Sequence, residues 1–274
     1  MSRVVVKLGG HAVSDARVDT PALAQLAEDV VALRRGGDEV VVVHGGGPQI
    51  ASLLARLEVP ERFHEGLRVT DDATLEVVAL ALSSLNQVIT AALNRAGLEA
   101  VGLSGADASL LRASPLGAVW GRVGGVPRVD ASVVTRAWFA GWTPVVSPLA
   151  VDDDGQLLNC NADTVAGALA GALGADTLVL LSDVDQLRSD PDDPSTALAR
   201  VRSDEVEVML ASGTAREGMR PKMRAALDAL RGGAARVVLA DGRREHAVAG
   251  AVAGTIPVTE VRTSEPRLAS EESP

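Results

Sequence analysis

The chain has 274 residues, which suits one large α/β domain or two small ones, and 47% of them are apolar, too many for a disordered chain. Its 26 Lys and Arg against 36 Asp and Glu give a net charge of −10, which argues against nucleic-acid binding and against docking on anionic lipid. Aromatics make up 2% with no tyrosine, so the core has to come from Val, Leu and Ala, a composition that favours buried parallel strands and Ala-rich helices.

The first predicted strand is Val4-Val5-Val6. Its apolar run is too short for a signal peptide, and no uncharged apolar stretch is expected to reach the ~18 residues of a membrane span. One cysteine, Cys160, and the scattered His11, His44, His64 and His246 offer neither a disulfide nor metal-ligand spacing, so the expected setting is soluble and cytoplasmic. A helix follows over residues 21–35, with Thr20-Pro21 as its start signal and Gly36-Gly37 as its stop. Further strands are predicted over residues 40–43, 100–103, 143–146, 177–181 and 236–239. Helices are predicted over residues 48–57, 72–96, 131–140, 161–173 and 219–231. The alternation predicts an open, mainly parallel sheet with helices on both faces. Residues 110–130, rich in glycine, read as hairpins inserted into that pattern, and Asp152 to Gly155 as a turn. A soft lobe boundary falls near Gly174, and the polar tail over residues 263–274 is expected to fray.

Five segments carry candidate chemistry. Lys7-Leu8-Gly9-Gly10 leaves the first strand at the sheet's carboxyl edge, where glycines admit an anion to the backbone N–H groups; a plain turn with a snorkelling lysine fits as well. His44-Gly45-Gly46-Gly47-Pro48 joins the second strand to a helix and makes a similar cradle, neither a Walker loop nor a dinucleotide fingerprint. Nothing near His44 in sequence orients it as a base, so it reads as structural. Arg68, in Glu65-Gly66-Leu67-Arg68-Val69-Thr70, follows a glycine hinge and precedes a helix that Thr70 would cap; it is either a surface arginine or a two-bond clamp on a carboxylate. In Asn159-Cys160-Asn161-Ala162-Asp163, Asn161 reads as a helix cap and Asp163 as a first-turn acid, and capping alone accounts for both. Lys222, in Gly218-Met219-Arg220-Pro221-Lys222, taken alone is a solvated helix lysine.

Together these segments resemble the amino-acid kinase family, and within it the enzymes that phosphorylate N-acetyl-L-glutamate. The likeness runs from Val4 to about Val261 and rests on K-L-G-G, V-V-H-G-G-G-P, E-G-L-R-V-T, L-L-N-C-N-A-D, L-L-S-D-V and G-M-x-x-K in the family's order and spacing. The resemblance implies a carbamate kinase-like fold in one domain over residues 1–262. Its lobe over residues 1–175 would bind acetylglutamate and make the dimer contact; its lobe over residues 176–262 would bind ATP. It implies ATP-dependent phosphorylation of the γ-carboxylate, the second step of arginine biosynthesis. Lys7 and Lys222 would contact the phosphoryl group in transfer and Asp163 would hold both lysines. Gly9, Gly10, Gly45 and Gly46 would donate N–H groups; Arg68 and Asn159 would bind the substrate; Ser182 and Asp183 would approach ATP. Mg²⁺ would ride on the nucleotide phosphates. The family commonly has a glycine where Gln186 stands here. Arginine-inhibited hexameric relatives carry an extra N-terminal helix, and its absence implies a homodimer without arginine feedback by that route. That dimer is expected through the residue 72–96 helix, where Val77, Leu80, Val88 and Ala92 widen the apolar face. The alternatives are a kinase acting on carrier-linked aminoadipate or glutamate, whose acidic carrier would be repelled by a chain of this charge, and a non-catalytic acetylglutamate- or arginine-sensing domain.

Overall fold

A computed structural model describes residues 1–9, 20–190, 192–213 and 219–264 of the chain. Strand β1 (Arg3–Leu8) is followed by α1 (Pro21–Arg35). Thr20 caps α1 by accepting from the Leu23 N–H, and Gly37, at φ 91°, turns the chain out of it. Next come β2 (Glu39–His44), α2 (Gly47–Arg56), the short strands β3 (Phe63–His64) and β4 (Leu67–Arg68), and α3 (Asp72–Arg95). Asp71 caps α3, accepting from the Thr74 N–H at 2.9 Å; Thr70, expected in that role, is instead buried one residue earlier.

The middle of the chain supplies β5 (Ala100–Ser104), β6 (Leu111–Arg112), β7 (Arg128–Val129), α4 (Ser132–Phe139), β8 (Thr143–Ser147), β9 (Leu149–Val151), β10 (Leu157–Asn159) and α5 (Ala162–Leu173). The remainder is β11 (Thr177–Ser182), β12 (Leu187–Arg188), β13 (Ala197–Leu198), β14 (Arg200–Arg202), α6 (Ser203–Ala211), α7 (Arg220–Arg231), β15 (Val237–Asp241), α8 (Ala247–Ala253) and β16 (Val258–Arg262).

Eight strands form one sheet in the order β14-β16-β15-β11-β1-β2-β8-β5. Every pair in it is parallel except β15 with β16. β1 lies inside the sheet, with Val5 opposite both Val41 and Leu178. Successive β1 residues face opposite layers. Val5 packs with α5 and α7 through Leu169 and Leu230, while Val4 and Val6 pack with α1, α3 and α8 through Leu26, Leu85 and Val248. This is the mainly parallel sandwich that the valine runs predict. The glycine-rich insert does form hairpins, in a second sheet ordered β10-β9-β6-β7.

Two expectations about α3 need correction. It is long and apolar enough to cross a membrane by length and composition, the one such helix among the described residues. In the fold, however, Leu82, Leu85, Ile89 and Leu93 are buried in the core. Its second apolar set is also largely internal: Val77 and Ala92 are buried and Val88 is half-buried, leaving Leu80 outward at 62% exposure.

Candidate active site

β1, β2 and β11 end side by side, so their carboxyl ends share one edge. Lys7, the penultimate residue of β1, is buried there. Its Nζ lies 2.7 Å from Asp163 Oδ1, and Lys222 Nζ lies 3.4 Å from Oδ2 of the same carboxylate. Asp163 and Lys222 occupy the first turns of α5 and α7. Asn161 caps α5, accepting from the N–H groups of Asp163 and Thr164. With the cap role filled by Asn161, the Asp163 side chain is left to turn toward the lysines. Burial pushes the Asp163 carboxyl up, but the charges of Lys7 and Lys222, with their hydrogen bonds, outweigh burial and hold it below the usual carboxylate range. Two ammonium groups and one carboxylate leave a single net positive charge in a nearly dry place.

The convergence of Asp163 and Lys222 depends on how closely α5 and α7 approach. A Cβ on Gly167 would lie 2.5 Å from the Ala225 carbonyl oxygen, and one on Gly171 would lie 2.9 Å from Gly232 Cα. Asp163, Gly167 and Gly171 fall on one helix face at four-residue steps, so the two backbones touch along the stripe that the carboxylate heads.

The glycine turns lie beside this trio. The Gly45 N–H donates to the Leu8 carbonyl at 3.3 Å, tying the ends of β1 and β2. A Cβ at Gly46 would meet Leu82 at 2.8 Å, whereas one at Gly45 would make an ordinary 3.7 Å contact with Ala162. Gly9 abuts the end of β11, its Cβ position 3.0 Å from the Leu181 oxygen. Gly10 lies outside the described residues, as does Gly218 of the Lys222 segment. His44 is fully buried, and burial pushes its pKa down to about 4. Its Nδ1 is 2.9 Å from the Gly45 oxygen and its Nε2 is 3.1 Å from Asn86 Nδ2. Both ring nitrogens thus have partners inside the fold, and among the described residues no carboxylate orients the ring as a base.

Arg68 sits on the two-residue strand β4, after a turn whose Glu65 and Gly66 both have positive φ, 48° and 76°. That pairing is the primed geometry that twists with a tight hairpin. The guanidinium pairs with Glu61, reaches the Gly47 oxygen at 3.4 Å and lies 5.0 Å over the Phe63 ring. It is thus beside the second glycine turn, not out on a free loop. Asn159 donates to the buried Thr70 hydroxyl at 3.2 Å, and that hydroxyl donates to the Arg68 carbonyl at 2.9 Å, which links the two predicted substrate residues. The Ser182 hydroxyl closes its own turn by donating to the Val184 carbonyl and accepting from its N–H. Asp183 is exposed, and its carbonyl accepts from Arg243. Gln186 needs no positive φ, and its amide donates to the Val258 carbonyl at 2.9 Å. Cys160 is buried, and burial pushes its thiol up to about 12.

Lys7, Asp163 and Lys222 come together, with Gly45 beside the first turn of α5 and Gly9 against β11. Arg68 and Asn159 form a separate, linked pair next to Gly47. Reading the sequence missed Glu61 and Asn86, and it placed Thr70 as a helix cap rather than as the link between Asn159 and Arg68. Of the two missed, Asn86 left a signal: an asparagine inside the apolar stripe of Leu82, Leu85 and Ile89.

The amino acid kinase family profile matches residues 2–241. An acetylglutamate kinase from Symbiobacterium thermophilum is 42% identical over 255 residues, covering 89% of this chain and 86% of its own. Another, from Beutenbergia cavernae, is 46% identical over 255 residues, covering 89% of this chain and 80% of its own. Among solved structures, carbamate kinase from Giardia lamblia bound to AMP-PNP is similar with a TM-score of 0.69 at 16% identity, over 96% of this chain and 98% of that one, a likeness of fold.

Proposed function

We propose that this chain, which belongs to the amino acid kinase family, transfers the γ-phosphoryl group of ATP to the γ-carboxylate of N-acetyl-L-glutamate, the second step of arginine biosynthesis. The likeness to acetylglutamate kinases over 89% of the chain supports this substrate. The observation that carries the site is the convergence of Lys7 and Lys222 on Asp163.

The nucleophile is a carboxylate with a pKa near ~4.3, ionised at neutral pH, so no general base is required. One carboxylate oxygen bonds to the γ-phosphorus as the bond to the β–γ bridging oxygen breaks, giving an acyl phosphate and ADP. The obstacle is repulsion between two anions, which fixed positive charge and backbone donors relieve. Lys7 and Lys222 supply the charge. Asp163, already ionised, holds both ammonium groups in place, so no reorganisation is needed during transfer. Gly9, Gly10 and Gly46 supply N–H donors, while Gly45, whose own N–H is held by the Leu8 carbonyl, contributes the bare Cα that lets the substrate approach the turn; Arg68 and Asn159 hold the α-carboxylate side of the substrate, and Ser182 and Asp183 border ATP. The lobe over residues 1–175 takes acetylglutamate and that over residues 176–262 takes ATP. Mg²⁺ belongs to the triphosphate in this reading, where it supplies charge neutralisation. Asp163, the carboxylate at the transfer point, is already engaged by two lysines and does not fit a metal-ligand role.

The same reading includes a homodimer through the outer face of α3. Ala73, Leu80, Ser83, Ser84, Gln87 and Ala91 are exposed there, small apart from Leu80 and Gln87, so two copies can approach closely. Light scattering should give twice 28.2 kDa, and Leu80→Glu should halve it; a single-chain mass for the wild type removes the dimer.

The test of function is ADP release by the purified chain with MgATP and N-acetyl-L-glutamate, with the acyl phosphate trapped by hydroxylamine. Stoichiometric turnover is expected. Turnover only with a carrier-linked substrate, or binding of acetylglutamate without turnover, overturns the reading.

A further inference from the structure

Asn86 and His44 lie behind the second glycine turn. Three acceptors surround Asn86 Nδ2: the Val145 carbonyl at 2.9 Å, His44 Nε2 at 3.1 Å and the Leu103 carbonyl at 3.3 Å. Turning the amide over would set its oxygen against two carbonyl oxygens, so the nitrogen must face them. An amide nitrogen has no lone pair to receive an Nε2–H, so His44 Nε2 carries no proton and the ring's single proton sits on Nδ1, 2.9 Å from the Gly45 carbonyl oxygen. The fold keeps room for this amide: a Cβ on Gly102 of β5 would come within 2.2 Å of Asn86 Oδ1.

The consequence reaches the site through one peptide plane. In a trans peptide the C=O and the following N–H point in opposite directions. Holding the Gly45 carbonyl on the buried imidazole turns the Gly46 N–H away from it. We propose that Asn86 and His44 are positioning residues, Asn86 fixing the His44 tautomer and His44 fixing the Gly45–Gly46 peptide so that its N–H meets the transferring oxygens. This rests on the reading of that glycine turn as a donor cradle.

The tautomer is read directly by ¹⁵N NMR of the full chain, with the His44 signal identified by its loss in His44→Leu. Protonated Nδ1 is expected, and a protonated Nε2 overturns the proposal. Kinetics test the positioning. His44→Leu keeps the bulk and leaves both Asn86 protons a carbonyl partner, so the chain should fold while kcat/KM for acetylglutamate drops about 10- to 100-fold. His44→Asn, whose amide can still donate to Gly45, should recover most of that loss. Asn86→Leu should weaken kcat/KM similarly, and the double variant should be no worse than the worse single, because both act through one peptide. A purely structural pair would lower stability and leave kcat/KM of the folded enzyme unchanged, and that result overturns the proposal. If His44→Leu does not fold, Asn86→Leu and the wild-type tautomer still decide. A wild type without acetylglutamate turnover would instead sink the kinase reading, whatever the tautomer.

Discussion

The two ends of the proposed site are built in opposite ways. Burial does not separate them, for the side chains of Lys7, Asp163 and Lys222 are 7%, 8% and 15% exposed and that of Arg68 is 9% exposed; the difference is that the first three project from a central strand and two helix starts. Arg68 projects from a hairpin whose strands are two residues long, and its guanidinium already holds Glu61. The first end is locked before any ligand arrives; the second must share or exchange a partner when one does. That division suits the reaction. Stabilising charge that develops during transfer requires groups that do not move, whereas admitting a substrate requires groups that can.

The sharpest break in this comparison is at the locked end. Lys222→Ala should lower kcat by about 10²- to 10³-fold, ~3–4 kcal/mol of transition-state stabilisation, with KM for acetylglutamate nearly unchanged. Asp163 keeps Lys7 as a partner in that variant, so the fold should survive. Steady-state kinetics with unaltered kcat would move Lys222 out of the transfer step.

Acid acts next, and on the seam between the ends. In the fold His44 takes a proton only below about 4, against 6.5 for the ordinary group. Between those values the unfolded chain binds more protons, so the His44 contribution is complete above pH 6.5 and is lost as pH falls toward 4. The most it can contribute is about 3 kcal/mol. Asp163, also lowered, has the same sign but acts below the ordinary carboxylate range. His246 is raised by its hydrogen bond to and the charge of Asp29, so its contribution is instead present below 6.5 and lost as pH rises from there through its folded value. Urea unfolding at pH 7 and pH 5 should therefore show a drop in wild type that is much smaller in His44→Leu; equal drops would sink the assignment.

Gly167→Ala addresses how the locked end is made. Its new Cβ would be 2.5 Å from the Ala225 carbonyl oxygen, which is backbone and cannot swing aside. Loss of about 1–3 kcal/mol of stability is expected, together with a lower kcat as α5 and α7 part. A urea midpoint equal to that of the wild type would show that the helix contact has slack.

Much of the locked end is legible in the sequence and little of the adjustable end is. The valine runs predict buried parallel strands, and Lys7 and the glycine turns fall at strand ends, so their shared edge follows from topology alone. Asn161 announces its cap. That Asp163 meets Lys222 does not follow from local pattern, because the two are brought together by a tertiary contact at Gly167 and Gly171. Glu61 meets Arg68 across a hairpin whose Glu65 takes a positive φ with no asparagine or glycine to signal it. α8 and β16 escape for a related reason: an Ala/Gly helix of seven residues and a strand carrying Glu260 have weak periodicity, and packing rather than propensity makes them.

The adjustable end gives the smallest effects, and they differ in sign. Arg68→Lys should raise KM for acetylglutamate about tenfold, since an ammonium cannot make two parallel bonds to a carboxylate. Glu61→Gln should lower it. The Glu61 side chain is 33% exposed and sits on the group that is to receive an anionic substrate. Its charge therefore repels that substrate, by an amount that water limits to about 1 kcal/mol or less. Removing the charge carries a risk, because Glu61 also holds the guanidinium in place. Arg68 keeps the Gly47 carbonyl and the Phe63 ring, and a glutamine oxygen can still accept its bond. The lost repulsion should outweigh the loosened grip, and KM should fall about two- to fivefold with kcat constant. Salt offers an independent reading. Raising ionic strength screens the same repulsion, so the advantage of Glu61→Gln over wild type should shrink between low salt and 0.15 M, where the Debye length is ~8 Å. A KM that instead rises in Glu61→Gln, as it does in Arg68→Lys, would make Glu61 part of the clamp and the hairpin as preorganised as the lysine pair.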